Sequence, residues 1–196
     1  MSTVPTLNSG GGILLLDRAL ATKIGGFDGD YMLGWGDDGE FYQRLLRFGL
    51  KCLYVPTAVA YHEDKLRNRE RNYRVEAQIF NRWQFIFTHY SAITLVLLTP
   101  AFLFYEIIQC AFLSYKRMLF LYFKGSFYSF KSLPEFLAKR KKIQAIRRVS
   151  DKEVLFSGPI YVSPSLIENS KILKLLLKTI NSFFDIYWKS VKPFIP

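Results

Sequence analysis

Between Gly25 and Glu63 the chain reads GGFDGDYMLGWGDDGEFYQRLLRFGLKCLYVPTAVAYHE, and the residues able to do chemistry crowd into this stretch. Asp37 and Asp38 adjoin each other where a helix should begin. Glu40 follows, and Arg44 stands one turn after it. Paired carboxylates at a helix start suit acid–base work, because the helix dipole stabilises their charge and a carboxylate within reach can take a proton from an attacking hydroxyl. The same placement also suits a helix cap, so at Asp38 both readings stand. Glu40 and Arg44 have the spacing of an ion pair across one turn, which is structural as readily as functional. Gly25 and Gly26 let backbone pass close to a ligand, or simply end a helix. His62 follows a strand candidate. Its imidazole can ligate Mn²⁺ or Mg²⁺ beside carboxylates, although hard ions prefer oxygen, and a hydrogen-bonded strand-end histidine is the equal alternative. Asp28-Gly29-Asp30 reads as turn chemistry, since the other ligand positions of a calcium loop are absent.

The elements that must position these residues follow from periodicity. Ile13 to Leu16, an apolar run after glycines, predicts a buried strand, and Asp17 to Ile24 predicts a helix capped by Asp17 and stopped by Gly25. Phe27 to Gly36 reads as loop. Asp38 or Gly39 then opens a helix to about Phe48, with Phe41, Leu45 and Phe48 on one face and Gly49 as terminator. Lys51 to Val55 and Ala58 to Tyr61 are strand candidates separated by Pro56. The head is therefore expected to be part of an α/β layer, too short to close a sheet alone.

The charge is uneven. Through His62 there are five Lys and Arg against six Asp and Glu, and the other 22 bases and 10 acids lie beyond. The basic clusters flank an apolar run, which favours anionic lipid as the partner and argues against nucleic acid, for which no motif is present. Ala92 to Tyr115 carries Glu106 as its only charge and is long enough for a helix to cross a hydrocarbon layer of roughly 30 Å, with Pro100 as a kink. MLFLYF resumes after Lys116-Arg117 and is expected to close at Lys124-Gly125. With Lys65–Arg82 before it and Lys139–Arg148 after it, the apolar region favours a hairpin or re-entrant insertion. The first of these basic segments reads equally as an interfacial helix or as a solvated helix packing on the head, with Val75, Ile79, Trp83 and Ile86 at helical spacing. Lys171 to Lys192 predicts a last amphipathic helix. Cys52 and Cys110 form no framework and are expected to be reduced, buried and inert. The N-terminus lacks the pattern of a signal peptide.

GGFDG at Gly25–Gly29, DDGEFYQR at Asp37–Arg44 and VPTAVAYH at Val55–His62 come in the order and at the spacing of the C-terminal half of a family 2 glycosyltransferase catalytic domain, which the chain resembles over about residues 9 to 90. The segment Pro134–Glu153 also looks like the membrane-associated tails of such enzymes. The resemblance implies an α/β fold: a partial GT-A (Rossmann-like) catalytic domain over 1–90, a transmembrane or re-entrant helical region over 91–130, and a basic, amphipathic helical tail over 131–196. It implies inverting transfer from a nucleotide-sugar donor to a glycan or lipid-linked acceptor, at a membrane and on its cytoplasmic side. By the same resemblance Asp38 is the catalytic base and Asp37 positions the acceptor or the base. Trp35, which could stack on a sugar or anchor its loop, is expected at the substrates with Gly25, Gly26, Glu40 and Arg44. His62 is expected at a divalent metal, Mg²⁺ or Mn²⁺. The family's nucleotide-binding half and its own D-x-D element belong upstream and are not in this sequence, so an adjacent chain supplying that half is an expected partner. A non-catalytic membrane-associated subunit is the alternative.

Overall fold

The computed structural model describes residues 4–5, 13–61, 71–160, 162 and 170–196. Within them the chain is mostly helical. Helix α1 (Arg18–Lys23) opens on Asp17, whose carboxylate accepts from the Leu20 amide at 2.9 Å, as its N-cap position predicts. It ends at the Gly25-Gly26 pair, both in the left-handed region, with the Gly26 amide bonded back to the Ala21 carbonyl. A short 3₁₀ turn (Met32–Gly34) leads into α2 (Asp37–Arg47). Phe41, Leu45 and Phe48 lie on one face of α2 as expected, and with Ile24 they form a buried cluster. Its other face buries Tyr42 and Leu46 against Val154. The acid-bearing helix is thus enclosed between the head and a segment a hundred residues further on.

Strand is almost absent among the described residues. Strand β1 (Val4–Pro5) pairs antiparallel with β2 (Leu53–Tyr54), and that ribbon is the whole sheet. Ile13–Leu16 and Ala58–Tyr61 form no strand, and Lys51–Val55 contributes only Leu53 and Tyr54. A strand needs a neighbour for its main-chain groups, and the described residues bring none to these runs. Leu16 and Cys52 still pack against the buried face of α2, but Leu15 and Tyr61 are each 98% exposed. An α/β Rossmann-like layer is accordingly not shown.

The rest is a helical assembly around α3 (Arg71–His89), which packs against α5 (Leu119–Lys131), α6 (Leu133–Ile146) and the Met32–Gly34 turn. From Glu76 onward α3 is largely interior: Ala77 and Ile79 are fully enclosed, and so, nearly, are Gln84, Thr88 and His89. The segment does pack on the head, through the Met32–Gly34 turn, but it is an interior helix from Glu76 onward and not a solvated one. Helix α4 (Ala92–Tyr115, 24 residues) has the bounds of the apolar run, is capped by Ser91, and carries Pro100 inside. It is the one described helix long and apolar enough to cross a membrane, and of its residues only Thr94, Leu98 and Leu113 are buried. Arg117, with φ +57°, turns the chain into α5.

Helix α5 does not close at Lys124-Gly125 but runs through it. Gly125 faces α3 so closely that a Cβ there would stand 3.0 Å from the Glu76 carbonyl oxygen and 3.1 Å from Ile79 Cβ, so this glycine is a contact rather than a stop. A single turn, α7 (Asp151–Val154), follows with a Ser150/Glu153 capping box, and α8 (Lys171–Val191) packs on α4.

Candidate functional site

Asp37 and Asp38 occupy the first two positions of α2, after Gly36, which caps the helix in a left-handed conformation at φ +89°. The N-cap is therefore Gly36 and not Asp38. Both carboxylates sit half-buried in the first turn, where α2 presents its free amides and positive dipole end. Asp38 Oδ1 accepts from the Gly39 amide at 2.7 Å, and the Asp37 carboxylate lies beside Gly34. Trp35, just before them, is 41% exposed, and the Arg74 guanidinium stands 5.1 Å from its ring centre. Trp35, Asp37 and Asp38 thus share one accessible corner.

Gly25, Gly26, Glu40 and Arg44 form a second group behind it. Arg44 reaches back from α2 to the Gly-Gly turn and donates to the Ile24 carbonyl at 2.7 Å and to the Gly26 carbonyl. Its remaining donors meet both oxygens of Glu40, Nε to Oε1 at 2.5 Å and Nη2 to Oε2 at 2.7 Å, so the expected one-turn pair is a two-pronged, buried one. A Cβ on Gly25 would stand 3.3 Å from the guanidinium, and φ +96° makes that position a glycine's in any case. Behind Glu40 stands His89, fully buried at the end of α3, with Nε2 at 3.1 Å from Oε1 but off the line of a good hydrogen bond. Burial holds the His89 imidazole below its ordinary value, with the Arg47 and Arg44 charges acting in the same sense and Glu40 only partly offsetting them.

Helices α3 and α6 hold the loop between the two groups. The Asn81 side-chain carbonyl accepts from the Met32 amide at 2.9 Å, while its amide nitrogen donates to the Met32 carbonyl at 3.0 Å and the Trp35 carbonyl at 2.8 Å. One turn on, Gln84 donates to Asp28 Oδ2 at 3.0 Å. Asp28 also accepts from the Asp30 amide, the Asx turn expected of these letters, and Lys139 of α6 bridges the carboxylates of Asp28 and Asp30, each at 2.7 Å. Burial alone would raise the Asp28 carboxyl. The Lys139 hydrogen bonds, the Asp30 amide and the Lys139 and Arg44 charges outweigh it and hold the group below the usual range. Tyr31, buried in the same loop, has its phenol pushed well up by burial and by the charges of Glu40 and Asp28.

The opposite end of α2 is pinned just as firmly. Arg47 and Asp151 form a buried ion pair, and the second oxygen of Asp151 accepts from the Ser91 amide at 2.7 Å and from Thr94 Oγ1 at 2.6 Å. The Arg47 carbonyl takes the amides of Arg148 (2.7 Å) and Val149 (3.2 Å).

No group of three His, Cys, Asp or Glu side chains able to hold a metal gathers among the described residues, and Lys139 already neutralises the Asp28/Asp30 pair. Asp37 and Asp38 are two carboxylates without a third ligand there, so these residues alone do not fit a divalent cation. His62 lies outside the described residues. Sequence reasoning missed Asn81, Gln84, His89, Lys139 and Asp151. Only Asp151 had a local signal, the S-x-x-E capping box at Ser150–Glu153. The two cysteines are free and half-buried, and burial raises the Cys52 thiol.

No curated protein matches this chain, and no solved structure does. One family model does match: the N-terminal domain of galactosyltransferase, over residues 5–75. That span holds Trp35, the acid pair, the Gly-Gly turn and the Glu40–Arg44 pair, and it is just over a third of the chain. It supports a glycosyltransferase-like protein and, at that level, a nucleotide-sugar donor and an acceptor.

Proposed function

We propose that the chain supplies the acceptor side of an inverting glycosyltransferase of the family 2, GT-A type, working on a glycan or lipid-linked acceptor at a membrane surface. The observation that carries this reading is the position of Asp37 and Asp38 at the accessible start of α2, inside the matched span and beside an exposed tryptophan. In the proposed reaction the acceptor hydroxyl oxygen bonds to the anomeric carbon of the donor from the face opposite the leaving group. The bond to the diphosphate breaks with its electron pair, and the hydroxyl proton passes to Asp38. Asp37 orients the acceptor or Asp38, and Trp35 stacks on a sugar ring. Glu40, Arg44, Gly25 and Gly26 hold the corner from behind. A divalent metal belongs to the proposal only with ligands beyond the described residues, and no step here runs through one.

Transfer from a panel of radiolabelled nucleotide sugars by the full chain, alone and with the product of an adjacent reading frame, tests the reading. Asp38→Asn should lower transfer by about 10²–10⁴-fold, the range of general base catalysis. Activity within about twofold of the unaltered chain would remove Asp38 from the role.

A second reading, an interaction subunit, draws on the bare apolar residues Leu15, Val59 and Tyr61 and on the two-stranded ribbon. Such a surface suits a protein partner that extends the sheet, and a chain carrying the nucleotide-binding half would be one. Donor binding by the chain alone, measured by calorimetry, separates the two.

A further inference from the structure

A groove of about 380 Å³ lies between α3, α4, α8 and residues 156–160, and none of the acidic-corner residues lines it. This volume falls within the range of small-molecule sites. Its walls are largely aromatic: Phe85 of α3, Phe102 and Tyr105 of α4, Phe156, and Phe184 and Trp188 of α8. One end is polar. Arg82 Nη2 donates to Glu106 Oε1 at 2.7 Å, and the Tyr122 hydroxyl donates to Glu106 Oε2 at 2.6 Å. Glu106 is the single charge of α4, and Arg82 keeps a buried Nε without an acceptor.

The wall helices show what medium the groove meets. Ile107 follows the lining residue Glu106 and is 66% exposed, and Ile186 precedes the lining residue Tyr187 and is 64% exposed. Bare hydrocarbon therefore flanks the groove on both α4 and α8, and α4 is the one described helix both long and apolar enough to cross a bilayer. Its polar end pairs one cation with one anion, which suits a head group of no net charge better than an anionic one.

We propose that the groove holds one acyl chain of a bilayer phospholipid, with an oxygen of its zwitterionic head group accepting from Arg82. Arg82 follows Asn81 on α3, and Asn81 holds the Met32–Trp35 turn, so the lipid seats on the helix that positions the acidic corner. This inference does not depend on the transferase reading.

The full chain is reconstituted in dioleoylphosphatidylcholine vesicles doped with a phosphatidylcholine that carries a diazirine in one acyl chain, irradiated, and its adducts mapped by peptide mass spectrometry. Adducts are expected on residues 156–160 as well as on the outer face around Ile107. Gly158 is one of the lining residues and a Cβ there would meet no atom within 4 Å, so Gly158→Leu adds bulk at the groove wall with room at its Cβ. It should lower the groove adducts about tenfold, a 1.4 kcal/mol change in occupancy, and leave those near Ile107 unchanged. Ala101→Phe fills the same space from α4 should the first variant not fold. Adducts confined to the outer face of the unaltered chain would overturn the proposal without any variant.

Discussion

Glu40 Oε1 lies 3.1 Å from His89 Nε2 while both Glu40 oxygens grip Arg44, so one buried carboxylate ties the end of α3 to the helix that carries Asp37 and Asp38. Because burial lowers the His89 value, the folded protein resists a proton that the unfolded chain accepts below about pH 6.5. Stability should therefore fall as pH drops below that point, by at most about 1.4 kcal/mol per pH unit, and level off below the folded value. Urea denaturation from pH 7.5 to 5 should show this slope, and His89→Gln should flatten it.

Arg44→Lys tests the fork. A lysine keeps the charge but cannot meet two carboxylate oxygens and two turn carbonyls together, and Glu40 is left short of partners in the interior. A loss of about 3–5 kcal/mol is expected from denaturation curves, the range for breaking a buried pair. A change below about 0.5 kcal/mol, the usual range for a surface substitution, would show that the turn does not need the fork.

Asp151→Asn should cost a similar amount, about 3–5 kcal/mol, by leaving Arg47 buried without its anion. Burial would raise the Asp151 carboxyl, but Arg47, Thr94 and the Ser91 amide hold it below the ordinary value. Its contribution is present above about pH 3.9 and is lost as pH falls through the lower folded value, so the Asp151 and His89 windows separate in one titration.

Gly125→Ala should destabilise by about 1–3 kcal/mol, because the new methyl meets the Glu76 carbonyl and Ile79 across the α3–α5 contact. That loss exceeds the gain of at most about 1 kcal/mol in helix propensity. Gly158→Ala, where a Cβ meets open space, is the control and should be near neutral in thermal melts.

Partition into vesicles is expected to survive a high-salt wash, since the exposed surface of α4 is hydrocarbon rather than cationic. Quantitative release by salt would place α4 outside the bilayer.

These tests bear unequally on what the sequence made legible. The bounds of α4, the Asp17 cap, the buried face of α2 and the Glu40–Arg44 pair are local patterns, and each is present as read. The sequence predicts more strand than forms, because pairing depends on neighbours that no local run specifies. The interior of α3 was hidden for a related reason. Asn81, Gln84 and His89 resemble a solvent face until their partners Met32, Asp28 and Glu40, about fifty residues back, are placed beside them. Gly125 reads as a terminator unless the opposite helix is known.

The Arg47 carbonyl and side chain reach Arg148, Val149 and Asp151, so the helix bearing the acid pair is completed by a stretch encoded more than a hundred codons downstream. A deletion series trimmed from the C-terminus would remove the anion opposite Arg47 well before it touched Asp38. Loss of transfer in such a series would then report a head that no longer folds, and point substitutions rather than deletions are the way to separate chemistry from assembly.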